Sequence, residues 1–463
     1  MKVLFASSEI YPFAKTGGLA DVADALPYAL TSLVDISRVM PFYGFMKKKD
    51  FKFHDNFTIT IDRIDYNIEI FTKTTDALIT YFVKAPLLSS TENLYGDKGI
   101  DYLNNDLRFG LFCKAIVKLS ARLGIEVLHL NDWHTALSAL FIKESNLNIK
   151  TIFTIHNLAY QGVFDKSSLK RLSINKKYYH MDGLEFYTNV NFLKAGIAYS
   201  DHVTTVSPAY AKEILTKEFG CGLDGFLIHH KKKLSGILNG INYDVFNPST
   251  DKALEFTYDK DSFENKYKNK LSFIKQSTLK DPRTPLFVMI TRLVEQKGVD
   301  LLMESIEDLL VKKVNLFVLG EGPAKICKKL NILSKKYDNF EFFEGYNDTV
   351  SHQTYAVADF LLMPSVFEPC GLNQFIAMRY GAVPIVHAVG GLIDSVYEDS
   401  MLCGAGLVFE NQTKEEFLFA IERALELKKN SKKFKSVMKF NMECDFSFAK
   451  SALEYLKLYK SLS

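Results

Sequence analysis

Runs of apolar and β-branched residues, each of strand length, recur along the chain, set apart by polar turns and stretches of helical period. In the first half these runs fall at residues 3–6, 38–40, 79–83, 127–130, 152–155 and 203–206, and they predict buried strands. Residues 57–70 alternate instead, with Ile59 and Ile61 followed by Ile68 and Ile70. That alternation predicts a small antiparallel meander within 57–84. Over 107–123, Phe112, Ile116 and Leu119 recur at helical spacing, so a helix is expected there.

The second half is more regular. Buried strands are predicted at 286–290, 316–319, 340–343, 360–363, 383–386 and 406–409, with helices at 299–310, 323–336, 350–357, 372–380 and 415–427. Strand–helix alternation of this kind builds a parallel sheet covered by helices on both faces. Such sheets bind ligands beyond the carboxyl ends of their strands. The expected fold class is therefore α/β, with two Rossmann-like, doubly wound lobes. Turn residues at 238–242 and 247–249, then a polar Lys/Asp-rich stretch to about residue 283, place the junction near 240–250. The expected division is a first lobe over 1–242, a second over 243–445, and an amphipathic helix over 446–463 that returns to the first.

The most informative segment is MKVLFASSEIYPFAKTGGLAD, residues 1–21. It leads from the first predicted strand through Lys15-Thr16-Gly17-Gly18-Leu19 into a helix-like stretch at 20–30. Adjacent glycines at a strand-to-helix turn leave N–H groups open at a helix N-terminus, where the partial positive charge favours an anion. Lys15 adds a full charge. Val389-Gly390-Gly391-Leu392 is the counterpart in the second half, again between an apolar run and a helical pattern. One anion-ready turn per half predicts a phosphorylated ligand held between two similar lobes.

Other candidates follow predicted strands in the same way. Arg292 and Lys297 share one turn and can converge on an anion, Arg as a planar fork and Lys as a point charge. A plain surface pair near a helix start is the alternative. Glu368 stands before Pro369-Cys370-Gly371 at the mouth of a helix, where a carboxylate accepts from helix N–H groups or from sugar hydroxyls. Gly320-Glu321-Gly322-Pro323 reads as a helix entry, with Pro at the first helical position. Asn131-Asp132-Trp133-His134 and Ile155-His156-Asn157 bring two histidines, an acid and the only Trp to one sheet edge. That set suits a sugar site, an aromatic face ringed by polar groups; buried core or turn histidines are the alternative. No ligands show metal spacing and no two acids pair as in a hydrolase, so no metal or other cofactor is expected. Three or four charge-assisted contacts of about 1.5–3 kcal/mol each, aimed at charge that grows as a glycosyl bond breaks, would supply much of a catalytic effect.

Composition changes this picture little. At 463 residues the chain exceeds one ordinary hydrophobic core. Its 47% apolar and 24% charged residues describe a soluble globular protein. A net charge of +3 gives no reason to expect nucleic acid, and the basic runs at 47–49 and 231–233 read as solvated loops. No apolar run reaches the ~18 residues of a membrane span, and the first, broken by Glu9, is no leader peptide. The six cysteines (113, 221, 327, 370, 403 and 444) lack CxxC spacing and are expected as reduced thiols in the cytoplasm. No G-x-G-x-x-G follows the first strand, against a nicotinamide dehydrogenase.

With those residues assembled, the chain resembles the bacterial glycogen synthase family, ADP-glucose-dependent glucosyltransferases related to plant starch synthases. The likeness runs nearly full length: KTGGLADV (15–22), NDWH (131–134), FTIHNLAYQG (153–162), GLEF (183–186), FLKAG (192–196), VSPAYAKEI (206–214), SGILNGI (235–241), RLVEQKG (292–298), FEPCGL (367–372) and GGL (390–392). The resemblance implies a GT-B fold with the site in a central cleft. It implies transfer of glucose from ADP-glucose to the non-reducing end of an α-1,4-glucan, with retained anomeric configuration and no metal. It assigns the diphosphate to Lys15, Gly17, Gly18, Arg292 and Lys297, and the adenine to Tyr346. Glu368 with the backbone of Cys370, Gly371 and Leu372 would hold the glucosyl hydroxyls. His156 would sit by the reacting carbon, and Asp21, Asp132, Trp133, His134 and Asn239 would line the sugar and acceptor side.

Three positions depart from the family pattern: Asn373 and Val389 where Thr is usual, and Val366 where Arg is common. All flank the expected donor site. They leave a UDP-sugar-dependent transferase or epimerase of the same fold as one alternative, and a non-catalytic glucan-binding relative as another. Ile376 occupies the place of the second acid in the E-x7-E pattern of related retaining transferases. Front-face attack, with the leaving phosphate taking the acceptor's proton, is therefore expected. Oligomeric state is left open by the sequence.

Overall fold

The computed structural model describes residues 1–97, 99–398 and 404–462. The chain forms two compact units, Met1–Asn239 together with Phe448–Ser463, and Gly240–Ser447.

In the first unit one sheet of nine strands runs, edge to edge, Leu234–Gly236, His202–Thr205, Lys150–Ile155, Val127–Asn131, Lys2–Ala6, Asp35–Pro41, Leu78–Lys84, Ile64–Thr75 and Lys52–Ile61. The first seven are parallel. The last two pair antiparallel, so the expected meander extends this sheet instead of standing apart. Lys2–Ala6, Val127–Asn131 and Lys150–Ile155 are buried almost throughout, as strands covered on both faces must be. Lys52–Ile61 alternates buried and exposed positions toward its end, the mark of a one-sided strand. Strand order reverses between Lys2–Ala6 and Val127–Asn131, and the segments leaving those two strands carry Glu9 to Gly18 and Asp132 to His134.

Helices Gly18–Leu30 and Phe448–Leu462 share one core, in which Val22 and Leu26 join Phe448, Ala452, Tyr455 and Tyr459 around Val3 and Phe5. Tyr459 is also tied to the sheet by hydrogen bonds. His129 Nδ1 lies 2.7 Å from the Tyr459 hydroxyl, and its Nε2 lies 2.7 Å from Thr154 Oγ1. A small three-stranded sheet, Val163–Phe164, Asn189–Asn191 and Glu185–Phe186, follows the Lys150–Ile155 strand in the chain and has no counterpart in the sequence reading.

The second unit holds six parallel strands in the order Phe340–Glu344, Asn315–Gly320, Leu286–Ile290, Phe360–Met363, Val383–His387 and Leu407–Phe409. Numbered along the chain this is 3-2-1-4-5-6, the doubly wound arrangement whose ligand crevice lies where the order reverses. Here that reversal lies between Leu286–Ile290 and Phe360–Met363.

Helices Phe263–Gln276 and Ser431–Glu443 go beyond the elements that the sequence pattern predicts. The helical pattern expected after Gly390-Gly391 is a single 3₁₀ turn, Gly390–Leu392, and Pro323 stands at the N-cap of Ala324–Lys336, not within it. Cys113, Cys221, Cys327 and Cys370 carry thiols, whereas Cys444 is disulfide-bonded, which corrects the expectation of reduced thiols throughout. Cys403 lies outside the described residues. Among the described residues no helix is long and apolar enough to cross a membrane.

Candidate active site

In the second unit the two loops at the strand-order reversal carry the charged candidates. The loop after Leu286–Ile290 turns through a 3₁₀ segment, Glu295–Lys297, and ends at Gly298, whose φ of 68° lies in the left-handed region. A Cβ at Gly298 would stand 1.7 Å from the Pro364 carbonyl oxygen, so only glycine lets this loop seat against the one after Phe360–Met363. The loops are joined by Val366 N–H donating to the Gln296 carbonyl at 2.9 Å. Lys297 thereby reaches Glu368: Nζ and Oε2 are 2.6 Å apart, with the Glu368 side chain 5% exposed. Ser365 Oγ donates to the same carboxylate oxygen at 3.1 Å. Arg292, on the same loop, is exposed.

Glycines also govern the next turn. A Cβ at Gly391 would lie 2.4 Å from Cys370 Cα, and Gly391 N–H donates to the Glu368 carbonyl at 2.9 Å. The Gly390-Gly391 turn therefore braces the Glu368 loop, and the Gly391 N–H is engaged, which corrects the reading of that turn as an open anion site. Gly371 has φ 75°, and the Gln374 amide donates to the carbonyls of Cys370 and Gly371 at 3.0 and 3.1 Å. Leu372 is the N-cap residue of Asn373–Arg379. Tyr346, beyond Phe340–Glu344, is 60% exposed, and its hydroxyl donates to Asp348 at 2.9 Å.

In the first unit helix Gly18–Leu30 begins as the sequence predicts, with Gly17 at its N-cap. Gly17 has an extended backbone, φ −161°, and an added Cβ would meet no atom within 4 Å. Neither strain nor packing asks for glycine here; a side chain would occupy the space before the helix N-terminus. Lys15 Nζ pairs with Asp21 at 2.8 Å, and both are about a third exposed.

Sequence reading passed over Glu9, which organises this loop from beneath. Buried at 3% exposure, its carboxylate accepts from Thr16 N–H (2.5 Å), Thr16 Oγ1 (2.6 Å) and the Tyr95 hydroxyl (2.5 Å). The signal was a carboxylate within an otherwise apolar opening run.

His156 and Asp132 come together as the sheet edge predicts. Asp132, at φ 55°, accepts the His156 N–H at 2.8 Å. Burial pushes its carboxyl up to about 7, against the pull of the His156 and Asn157 N–H groups. Burial pushes the His156 imidazole down to about 3, so it is neutral near pH 7. Its tautomer follows from the network. Asn131 Nδ2 donates to the Ala6 carbonyl at 2.9 Å, so Asn131 Oδ1, 2.8 Å from His156 Nε2, accepts. Nε2 therefore carries the proton and Nδ1 keeps a lone pair. Among the described residues no three His, Cys, Asp or Glu groups cluster to hold a metal ion.

Known proteins match this chain along nearly its whole length. Residues 2–229 match the starch synthase catalytic domain, and residues 272–439 match glycosyl transferases group 1. A glycogen synthase of Aquifex aeolicus is 43% identical over 100% of this chain and 99% of its own. The chain belongs to the glycogen synthase family. A glycogen synthase of Bacillus cereus is 38% identical over the whole of both chains. The catalytic domain of starch synthase IV from Arabidopsis thaliana, bound to ADP and acarbose, superposes with a TM-score of 0.91 at 32% identity, over 99% of this chain and 98% of that one. A sucrose-phosphate synthase from Thermosynechococcus elongatus shares the fold, with a TM-score of 0.65 at 17% identity, over 100% of this chain and 98% of that one. The chain is accordingly a hexosyltransferase of GT-B type.

In this member of the glycogen synthase family, some expected site residues are placed otherwise than the sequence suggested. Trp133 is 8% exposed, with Phe109 at 5.0 Å and Phe164 at 5.5 Å between ring centroids. A Cβ on Gly162 would stand 2.4 Å from its ring. Trp133 is thus a core residue and not an open stacking face. His134 is buried as well, stacked on Tyr95 at 4.6 Å, and its Nδ1 has no hydrogen-bond partner among the described residues. Asn239, 7% exposed, has an Oδ1 that is likewise unpartnered among them. Asn373, one of the departures from the family pattern, donates to the Ile290 carbonyl at 2.6 Å and so fixes the end of the strand before Arg292.

Proposed function

We propose that this chain transfers glucose from ADP-glucose to the non-reducing end of an α-1,4-glucan, with retention of anomeric configuration and without a metal cofactor. The Lys297–Glu368 pair at the strand-order reversal of the second unit carries this reading, because it places a cation for phosphate beside a buried carboxylate suited to sugar hydroxyls. Lys15, with the Gly17 and Gly18 backbone, and Arg292 with Lys297 hold the diphosphate. Tyr346 packs on the adenine. Glu368, with the backbone of Cys370, Gly371 and Leu372, binds the glucosyl hydroxyls. Gly390-Gly391 supports that loop.

His156 serves as a neutral group beside the reacting carbon. A neutral imidazole with an unprotonated Nδ1 adds no positive charge next to an oxocarbenium-like centre, and its main-chain carbonyl offers a negative dipole for the same task. Asp132 holds its main chain, and Asp21, His134 and Asn239 complete the sugar and acceptor side, with Trp133 as their packed support. The acceptor attacks on the face from which the diphosphate leaves, and the leaving phosphate oxygen takes its proton. Growing negative charge on that oxygen meets Lys15, Arg292 and Lys297, so stabilisation strengthens toward the transition state. The family's relatives support a glucan acceptor, and the starch synthase captured with ADP supports an adenine nucleotide.

The test is release of ADP from ADP-glucose with and without added glycogen, beside UDP-glucose as donor, and the anomeric configuration of the new linkage. Glycogen-dependent release from ADP-glucose and a new α-linkage are expected. A preference for UDP-glucose, or a β-linkage, overturns the assignment.

A further inference from the structure

One conspicuous feature of the first unit has no part in that chemistry. Strands Glu185–Phe186 and Asn189–Asn191 form a hairpin whose two-residue turn is Tyr187-Thr188, with φ of 48° and 68°. Such a turn favours Asn and Gly, and a bulky aromatic followed by a β-branched residue is strained there. The turn is nevertheless firmly braced. Thr188 N–H donates to Glu185 Oε1 at 2.9 Å, its carbonyl accepts the Tyr179 hydroxyl at 2.7 Å, and Phe186 lies edge-on to Tyr187 at 4.7 Å. The Tyr187 ring is still 73% exposed. A rigid backbone thus presents an aromatic ring to solvent at a cost in strain, and strain held in place is a mark of function.

The tip is connected to the His156 segment. Val163–Phe164 pairs with Asn189–Asn191. The Gln161 side chain accepts from Asn191 Nδ2 at 2.6 Å and donates to the Cys221 carbonyl at 2.9 Å. A Cβ on Gly222 would lie 3.6 Å from the Tyr187 ring. Between His156 and this junction stands Tyr160, 54% exposed. Two exposed tyrosine rings therefore follow His156 in the chain, one before and one after the Gln161–Asn191 junction.

We infer that Tyr160 and Tyr187 are stacking platforms for a distal stretch of the α-1,4-glucan acceptor, a subsite remote from the reacting sugar. The inference rests on the proposed glucan-elongating function. A hexose presents an apolar C–H face that matches an aromatic ring, and a tyrosine on a braced hairpin contributes contact area with little rotamer entropy to lose. A subsite of this kind favours long acceptors over short ones.

Acceptor kinetics with ADP-glucose test this, with glycogen and maltotriose compared for the unaltered chain, Tyr187→Asn and Tyr187→Phe. Asparagine tolerates the left-handed backbone at 187, so Tyr187→Asn removes the ring while easing the turn. Tyr187→Asn is expected to raise KM for glycogen about tenfold and KM for maltotriose no more than twofold, with no loss in Tm. Tyr187→Phe, which keeps the ring, stays within about twofold of the unaltered KM for glycogen. An unchanged KM for glycogen in Tyr187→Asn overturns the inference. So does an equal loss with both acceptors, or a change of oligomeric state on sedimentation. No transfer to either acceptor by the unaltered chain would instead defeat the elongation reading itself, and the platform with it.

Discussion

Lys297 and Glu368 form an ion pair of 2.6 Å across two loops that leave neighbouring parallel strands at the strand-order reversal of the second unit. Each is the other's ion-pair partner, yet their proposed duties differ, phosphate for one and sugar for the other. Lys297→Ala strands a nearly buried carboxylate that keeps the Ser365 hydroxyl as a partner. A loss of about 2–3 kcal/mol in unfolding free energy is expected, together with a large rise in KM for the donor. Glu368→Gln keeps the shape and a hydrogen bond, so it is expected to lower kcat far more than Tm. In the double variant the stability losses should fall short of additive, as required of directly coupled groups. Strictly additive losses in chemical denaturation would dissolve the coupling.

Gly298 offers a cleaner structural test. Its left-handed φ and the 1.7 Å separation between an added methyl and the Pro364 carbonyl oxygen leave alanine no room. Gly298→Ala is expected to cost about 2–4 kcal/mol, measured by denaturant midpoint, and to depress donor affinity because the Arg292–Lys297 loop must shift. Wild-type stability in this variant would contradict the described contact of the two loops.

Asp132 predicts a pH signature. Its carboxyl titrates near 7 in the folded chain against 3.8 as the reference. Between those values the folded state keeps a proton that the unfolded state has released, so this group's contribution to stability declines as pH rises through the window. Roughly 4 kcal/mol is at stake by pH 8. The neutral, buried His129 and His156, both near 3, act oppositely, weakening the fold as pH falls below 6.5. The difference between variant and unaltered chain isolates the acid. Asp132→Asn is expected to match the unaltered Tm at pH 4 and to exceed it increasingly up to pH 8. Parallel Tm curves would remove the buried acid's cost.

If Lys15, Arg292 and Lys297 balance the charge of the departing diphosphate, transfer from ADP-glucose should proceed unslowed in excess EDTA. A rate lost with the chelator and restored by Mg²⁺ would hand part of that work to a cation.

Strands were legible because parallel strands covered on both faces appear as unbroken apolar runs, and 286–290 is an instance. The helix at 299–310 was legible because its inward Leu302, Ile306 and Leu309 keep helical spacing. Helix Phe263–Gln276 was not, because its buried positions include Lys266, Asn269 and Lys270. Lys270 reaches the buried Asp359 at 2.6 Å, and Lys266 donates to the carbonyls of Ala356 and Tyr380 at 2.8 and 3.0 Å. Polar residues turned inward erase the very period that reveals a helix. In the candidate site, the short-range pattern singled out the turns that carry Gly17, His156 and Glu368. Contacts between distant residues stayed hidden: Tyr95 on Glu9, 86 positions away, and Gly162 against Trp133. That is why the Trp looked like a sugar platform and Glu9 like an interruption.

The pairing of the last helix, Phe448–Leu462, with the opening one also sets an order of events during synthesis. Gly240–Ser447 is continuous in sequence and can complete its core without any later segment. The earlier unit cannot, since Tyr459, the partner of His129, is made only after the whole of Gly240–Ser447. The half begun first is the half that closes last, and until Phe448–Leu462 arrives its apolar seam beside Val22 and Leu26 stays open to whatever else is near.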